Sequence, residues 1–173
     1  MHLRTMSAVL LTYEGRILLM KRSESRTFAP GIWGPVGGHV EPEEINDPQT
    51  ACLREMEEET GLEPQDVEGL RLRYVLLRRE AGELRVHYFF AGSARTAAVR
   101  DLTDEGELHW LEPSSLDILP MSYTFRAVLR HWLAAPADGE PYAAVTTGQG
   151  SEPNVVFLPL TDWRGMESLR LRE

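Results

Sequence analysis

The sequence contains very little lysine and cysteine and no long hydrophobic run. Lys21 is the only lysine and Cys52 the only cysteine among 173 residues. A single cysteine excludes an internal disulfide and is typical of a reducing compartment, so we predict a cytoplasmic protein. No stretch has the length of apolar residues that a membrane span needs, and the apolar start is interrupted by charge too early for a secretory signal. We therefore expect no membrane partner.

The acidity of the chain is concentrated in one segment. The formal net charge is −9, and residues 41–68 alone hold eleven acidic side chains and one basic one. The remainder is therefore close to neutral, and the acidity is a local feature. An acidic surface repels nucleic acid, and no basic patch with interleaved aromatic residues is present. We expect no nucleic-acid partner.

The acidic segment contains a predicted helix with three glutamates on one face. Asp47 and Pro48 are strong helix-start signals, and Gly61 is an equally strong stop. Successive helical residues are 100° apart, so side chains three and four residues apart share a face. The glutamates that fall within about a 100° arc are Glu55, Glu58 and Glu59.

The shared glutamate face predicts a cation site. Like charges at this spacing repel, and hard oxygen ligands suit Mg²⁺ or Mn²⁺. A solvated acidic face is the alternative, and it is the commoner one for an isolated run of glutamates. The context favours the metal, because the pair Gly37 and Gly38 precedes the helix and Arg54 interrupts the acidic run. Glu57 points to the opposite side of the helix.

The segment resembles the Nudix box, the signature of hydrolases that act on a nucleoside diphosphate linked to another group. Its pattern is G-x5-E-x7-R-E-U-x-E-E-x-G-U, where U is aliphatic. Nine residues separate Glu44 from Arg54 in place of seven, and we expect this two-residue insertion in the loop before Pro48. The role of Glu44 is therefore left open. The positions that match in kind are Gly38, Glu44, Arg54, Glu55, Met56, Glu58, Glu59, Gly61 and Leu62.

The resemblance implies an α/β (α+β) fold, the Nudix αβα sandwich, with a mixed sheet between helices over about residues 3–134. The residue patterns agree with this fold. A helix at 122–134 is expected opposite the box helix. Five arginines in the predicted hairpin are expected on its outer face in solvent, at positions 71, 73, 78, 79 and 85. The predicted strands are residues 3–12, 16–21, 67–79 and 84–93.

The last part of the chain is predicted to be an addition to this domain. We divide the chain into a Nudix hydrolase domain at residues 1–134 and a C-terminal extension at residues 135–173, packed on the same domain. In the extension, the runs YAAVTT and NVVFLPL flank the turn-rich GQGSEP and predict a β-hairpin. It covers a sheet edge or forms a dimer contact, so both a monomer and a homodimer are open.

The resemblance also assigns roles to individual residues. Metal ligands are expected from the Gly38 carbonyl, the three box glutamates and a further glutamate in the segment DEGELHW. In that segment Glu105 matches best, and Glu107 is the alternative. Arg54 would orient Glu55, and either Glu58 or Glu105 would take a proton from the attacking water. Substrate contacts are expected from Arg22, Gly37, Gly38 and His39.

Three functional hypotheses follow. The favoured one is hydrolysis of a nucleoside triphosphate, including oxidised ones such as 8-oxo-dGTP, to a monophosphate and pyrophosphate. The second is cleavage of ADP-ribose, another nucleotide sugar or a dinucleoside polyphosphate. The third is a nucleotide sensor without catalysis, which the presence of all box glutamates disfavours. The segment LPMSYT resembles the base-recognition segment of pool-sanitising relatives, but it lacks their acidic or amide side chains.

Overall fold

A computed structural model describes residues 1–27, 29–148 and 153–162. In this part of the chain one mixed sheet lies between two α-helices, as predicted, and none of the helices is long and apolar enough to cross a membrane. The strands are β1 His2–Tyr13, β2 Arg16–Arg22, β3 Trp33–Gly34, β4 Val36–His39, β5 Val67–Glu80, β6 Glu83–Ala94, β7 Gly106–Leu111, β8 Tyr142–Thr147 and β9 Asn154–Pro159. The helices are α1 Pro48–Thr60 and α2 Tyr123–Ala134, with 3₁₀ turns at Pro42–Glu44, Pro64–Asp66 and Pro113–Ile118.

The sheet places β1 at its centre, next to the start of the box. Its main order is β3-β2-β1-β6-β5-β8-β9, with β4 paired to β1 and β7 paired to β2. The pairs β1–β6 and β5–β8 are parallel and the others antiparallel. In the β1–β4 pair, Ser7 lies opposite Gly38 and Ala8 opposite Gly37. The two glycines are therefore held against the middle of the sheet.

Alternation along β1 supplies both faces of the sheet with core residues. Val9 and Leu11 pack in one cluster with Met56 of α1, while Leu10 packs in the other with Val128 of α2. All five side chains are buried. Side chains alternate across a strand, so one apolar run serves two layers. The predicted αβα sandwich is confirmed, with α1 on one face and α2 on the other.

Helix α1 has the predicted caps. The Asp47 side chain accepts a hydrogen bond from the backbone N–H of Thr50 at 3.3 Å. Gly61 adopts φ +77°, the left-handed conformation that ends many helices, and its N–H donates to the Glu57 carbonyl at 2.9 Å. The 3₁₀ turn ends at Glu44 and α1 begins at Pro48. The insertion therefore lies before the helix. The helical spacing of Glu55, Glu58 and Glu59 is unchanged by it.

The C-terminal hairpin joins the main sheet. Strand β8 pairs in parallel with β5, and β9 pairs with β8, so the hairpin covers the β5 edge. Tyr142 and Phe157 pack with Tyr74 and His131, and the Tyr74 hydroxyl lies 2.8 Å from His131 Nδ1. Most of the predicted turn GQGSEP, and residues 163–173, lie outside the described residues. The division into domain and extension stays a prediction, as does the dimer contact.

Three of the five arginines expected in solvent are not fully exposed to it: the side chains of Arg78 and Arg85 are only 21% and 15% exposed, and Arg73 is buried. Arg73 was expected in solvent, but only 1% of it is exposed. Its guanidinium donates to the carbonyls of Pro136, Ala137 and Gly139 at 2.8–2.9 Å. The register of β5 shifts between residues 72 and 74, so simple alternation fails at this point. A buried guanidinium needs hydrogen-bond acceptors, and the linker carbonyls accept from Nη1 and Nη2, while Nε has no partner among the described residues.

Candidate active site

The predicted site residues meet in one cavity of about 760 Å³ beside α1. Strands β2 and β4, helix α1 and the loop before β7 each supply part of its lining. Two further predicted residues, Gly37 and Arg54, do not line the cavity, but they donate hydrogen bonds to glutamates that do. The predicted residues that line it directly are Arg22, Gly38, His39, Glu55, Glu58, Glu59 and Glu105.

The glycine pair allows two box carboxylates to approach the sheet. The N–H of Gly37 donates to Glu59 Oε2 at 2.8 Å. A Cβ on Gly38 would lie 2.5 Å from the carboxylate of Glu55. A side chain here would displace the Glu55 carboxylate, so Gly38 provides the space in which Glu55 sits.

Arg54 fixes the orientation of Glu55 and is itself fixed by Glu44. Arg54 Nη1 donates to Glu55 Oε1 at 2.8 Å. Its Nε and Nη2 donate to the two oxygens of Glu44 at 2.9 and 3.0 Å, the bidentate geometry of a strong ion pair. This hydrogen bonding lowers the pKa of Glu44. The insertion therefore leaves Glu44 in place as the anchor of Arg54.

We predict that Glu44→Gln reduces kcat about 10- to 100-fold and leaves KM nearly unchanged. The substitution removes the charge that holds Arg54, so Glu55 loses its fixed orientation, while no substrate contact is removed. Steady-state kinetics measure kcat and KM separately. Glu43→Gln is the matched control, because Glu43 lies in the same 3₁₀ turn and is exposed. Equal kcat values for both variants would contradict the anchoring role.

The box glutamates differ in burial. Burial, together with the smaller effect of the nearby charges of Glu55 and Glu58, raises the pKa of Glu59 to about 7, although the Gly37 N–H and Arg22 oppose the rise. The side chain of Glu58 is 60% exposed, and its contact with Arg54 Nη1 is 3.4 Å long. The carboxylates of Glu55 and Glu59 are thus held in place by hydrogen bonds, and the carboxylate of Glu58 is free to rotate.

The donor set fits a hard divalent cation. Within the described residues, no three carboxylate, imidazole or thiol groups lie close enough together to form a complete metal site. The carboxylates that line the cavity nevertheless repel one another at close range, and a cation would relieve this repulsion. Apart from the His39 imidazole, most donors in the lining are carboxylate oxygens, the ligands that Mg²⁺ and Mn²⁺ prefer.

The opposite wall contains Glu105 between two arginines. Arg26 Nε donates to Glu105 Oε2 at 3.1 Å, and Arg22 Nη2 lies 3.7 Å from the same oxygen. Glu107 is exposed and pairs with His109 at 3.3 Å, away from the cavity lining. The structure therefore brings Glu105 to the cavity, and not Glu107.

Arg100 is a cavity residue that sequence reasoning missed. Its Nη1 donates to the carbonyl of Glu58, and its backbone N–H donates to the carbonyl of Thr60 at 3.0 Å. A cation here compensates the negative end of α1. The residue follows the box by about forty positions in an irregular loop, so no spacing relates it to the helix.

The described residues form a sandwich in which a glutamate-bearing helix faces arginines across one cavity, and this is the arrangement that the resemblance to the Nudix box predicts. The NUDIX domain family profile matches residues 1–135. The chain belongs to the NUDIX family, as its box predicts.

Curated relatives share only part of the chain. The isopentenyl-diphosphate Delta-isomerase of Streptomyces griseus is 32% identical over 117 residues, covering 65% of this chain and 58% of that protein. The m7GpppN-mRNA hydrolase NUDT17 of Xenopus laevis is 48% identical over 53 residues, covering 30% of this chain and 17% of that protein. The chain thus spans less than two thirds of the length of these relatives.

Solved structures match over most of the fold. The MutT NUDIX hydrolase from Burkholderia pseudomallei has a TM-score of 0.62 and 30% identity, covering 75% of this chain and 98% of that one. The mutator MutT protein from Bacillus halodurans has a TM-score of 0.66 at 18% identity, covering 83% of this chain and 88% of that one. At that lower identity the likeness concerns the fold alone.

Proposed function

We propose that the protein is a divalent-metal-dependent pyrophosphohydrolase that converts a nucleoside triphosphate to a monophosphate and pyrophosphate. Oxidised triphosphates such as 8-oxo-dGTP are included. The observation that carries this proposal is the cavity in which the box glutamates face Arg22 and Arg26. Membership of the NUDIX family supports it, since Nudix enzymes generally use divalent metal ions.

The charges in the cavity match the needs of the reaction. A polyphosphate is anionic and resists attack by water, so its charge must be neutralised and a nucleophile generated. Arg22 and Arg26 bind phosphate oxygens on one wall. The Gly38 carbonyl and the box glutamates would hold Mg²⁺ or Mn²⁺ on the other. When bound, such an ion lowers the pKa of water and stabilises the charge that develops on phosphate.

Glu58 is the better placed of the two candidate bases. Its carboxylate is exposed to the cavity and, among the described residues, has only the long contact to Arg54. The oxygens of Glu105 already accept from Arg26 and lie near Arg22, so they are less available to a proton. We assign proton abstraction to Glu58 and the positioning of Arg22 and Arg26 to Glu105.

A second candidate substrate is a nucleotide sugar, such as ADP-ribose, or a dinucleoside polyphosphate. The observation that favours it is that the cavity continues into a neighbouring pocket of about 530 Å³, which has room for a further group. Both candidates share the same metal chemistry and differ only in the leaving group.

The test is product release from a panel of nucleoside triphosphates, 8-oxo-dGTP, nucleotide sugars and dinucleoside polyphosphates, with Mg²⁺, with Mn²⁺ and with chelator. We expect metal-dependent release of pyrophosphate from a triphosphate. Cleavage confined to sugar or dinucleotide substrates would replace the first candidate by the second. Tight nucleotide binding without hydrolysis of any compound would identify a sensor and overturn the proposal.

A further inference from the structure

Residues 95–105 connect β6 to β7, and Arg100 lies in the middle of this loop with an exposed side chain that lines the cavity beside α1. Its backbone N–H donates to the Thr60 carbonyl at 3.0 Å, and its Nη1 donates to the Glu58 carbonyl. The side chain also passes close to Gly61, where a Cβ would lie 3.3 Å from Arg100 Nε. The loop is therefore attached to the C-terminal end of α1, and the guanidinium is held at that end of the cavity.

The charge of Arg100 is not matched by a carboxylate. The lining contains three arginines, and both Arg22 and Arg26 pair with Glu105. Among the described residues Arg100 has no ion pair, and its side chain donates only to the Glu58 carbonyl. A guanidinium has more N–H donors than this one contact uses. The remaining donors of Arg100 are therefore available to an anion that enters the cavity.

An anion at this end of the cavity needs a cation beside it. The carbonyls of the last helical turn give the C-terminus of α1 a partial negative charge, and the carboxylates of Glu58 and Glu59 add to it. A phosphate group would be repelled here unless a positive group binds it. Guanidinium N–H groups match phosphate oxygens in both geometry and charge. Arg100 is placed to bind a phosphate at the position where α1 alone would reject one.

Arg100 also lies away from the opening of the cavity into the neighbouring pocket of about 530 Å³. That pocket shares Met6, Arg22 and His39 with the cavity, and Arg100 is not among its lining residues. A polyphosphate whose attached group extends towards that pocket therefore has its terminal phosphate at the Arg100 end.

We infer that Arg100 binds the terminal phosphate of the substrate and makes the enzyme prefer a nucleoside triphosphate over the corresponding diphosphate. Cleavage between the first and second phosphates releases pyrophosphate from a triphosphate but orthophosphate from a diphosphate. The group that contacts Arg100 is the one that the diphosphate lacks, and a nucleotide sugar lacks it too. The inference rests on the proposed function, because it takes the polyphosphate to lie between the box glutamates and the arginines.

Steady-state kinetics on the preferred triphosphate and its diphosphate test this preference. We expect Arg100→Met to raise KM for the triphosphate about 10-fold or more, because charge-assisted hydrogen bonds to phosphate are lost. KM for the diphosphate should stay nearly unchanged, and Arg100→Lys should recover part of the loss because it keeps the charge. Arg95→Met is the matched control, since Arg95 begins the same loop, pairs with Glu68 at 3.6 Å and does not line the cavity.

Two kinetic results would overturn the inference. One is a parent enzyme that cleaves the diphosphate as efficiently as the triphosphate. The other is an equal loss on both substrates in Arg100→Met, which would show that Arg100 only supports the end of α1.

Calorimetry separates this inference from the proposed function, because it needs no hydrolysis. The probes are inorganic pyrophosphate with Mg²⁺, and Mn²⁺ alone. Arg100→Met should bind pyrophosphate about 10-fold more weakly than the parent and should show no loss of Mn²⁺ affinity. Unchanged pyrophosphate affinity in the folded variant would overturn the inference, as would a parallel loss of Mn²⁺ affinity, which indicates a distorted cavity. Pyrophosphate binding that depends on Arg100, in a protein that cleaves no nucleotide, would retain the phosphate site while the proposed function fails.

Discussion

We expect Glu58→Gln to abolish turnover and to leave the protein folded. The side chain is 60% exposed, and its one hydrogen bond within the described part of the chain, to Arg54, is 3.4 Å long, so folding depends little on it. The amide can neither take the proton of the attacking water nor supply a carboxylate charge to the metal. We expect kcat to fall by about 1,000-fold or more. Pyrophosphate release measures the rate, and thermal unfolding with circular dichroism confirms the fold.

Glu57→Gln is the control for this variant. Glu57 is adjacent in sequence and exposed, but it lies outside the cavity lining, so the amide should retain the parent rate. A Glu58→Gln enzyme that hydrolyses at nearly the parent rate would remove this helix face from the mechanism. A larger loss in Glu105→Gln than in Glu58→Gln would transfer proton abstraction to Glu105.

The box helix could be predicted because its signals are local. Asp47 and Gly61 define its ends, and the three- and four-residue spacing of the glutamates defines its charged face. The prediction for Arg73 failed because burial there depends on a register shift in β5 and on carbonyls more than sixty residues away. Alternation along a strand carries neither piece of information. Local sequence patterns thus predict the helices and strands, whereas a register shift such as that in β5 depends on tertiary contacts.

The candidate site was only partly predictable for the same reason. Glu105 could be placed because it follows the box in a recognisable segment. Arg100 could not, since it contacts α1 only after an irregular loop has folded back. Arg78 and His87 both line the neighbouring pocket because the registers of two strand pairs align them, and neither residue stands out in the sequence. The glutamate face is thus encoded within one helix, whereas the neighbouring pocket is assembled across strands.

Gly37→Ala should destabilise the protein and inactivate it together. Gly37 has φ +146°, which L side chains rarely adopt, and an added Cβ would lie 2.3 Å from the Ser7 carbonyl oxygen. Strain and overpacking together should cost about 3 kcal/mol of the free energy of unfolding. For a domain of this size, Tm should fall by roughly 6–12 °C. Differential scanning calorimetry measures this shift.

The activity loss in Gly37→Ala follows from the same contact. The Gly37 N–H holds Glu59 at 2.8 Å, so a displaced backbone releases a carboxylate that we assign to the metal. Activity should therefore stay low even at temperatures where the variant is fully folded. Gly34→Ala is the control for stability, because φ at Gly34 is not positive and a Cβ there would meet no atom within 4 Å. If Gly37→Ala lost stability but kept the parent kcat when folded, Glu59 would not need this anchor, and its place among the metal ligands would have to be given up.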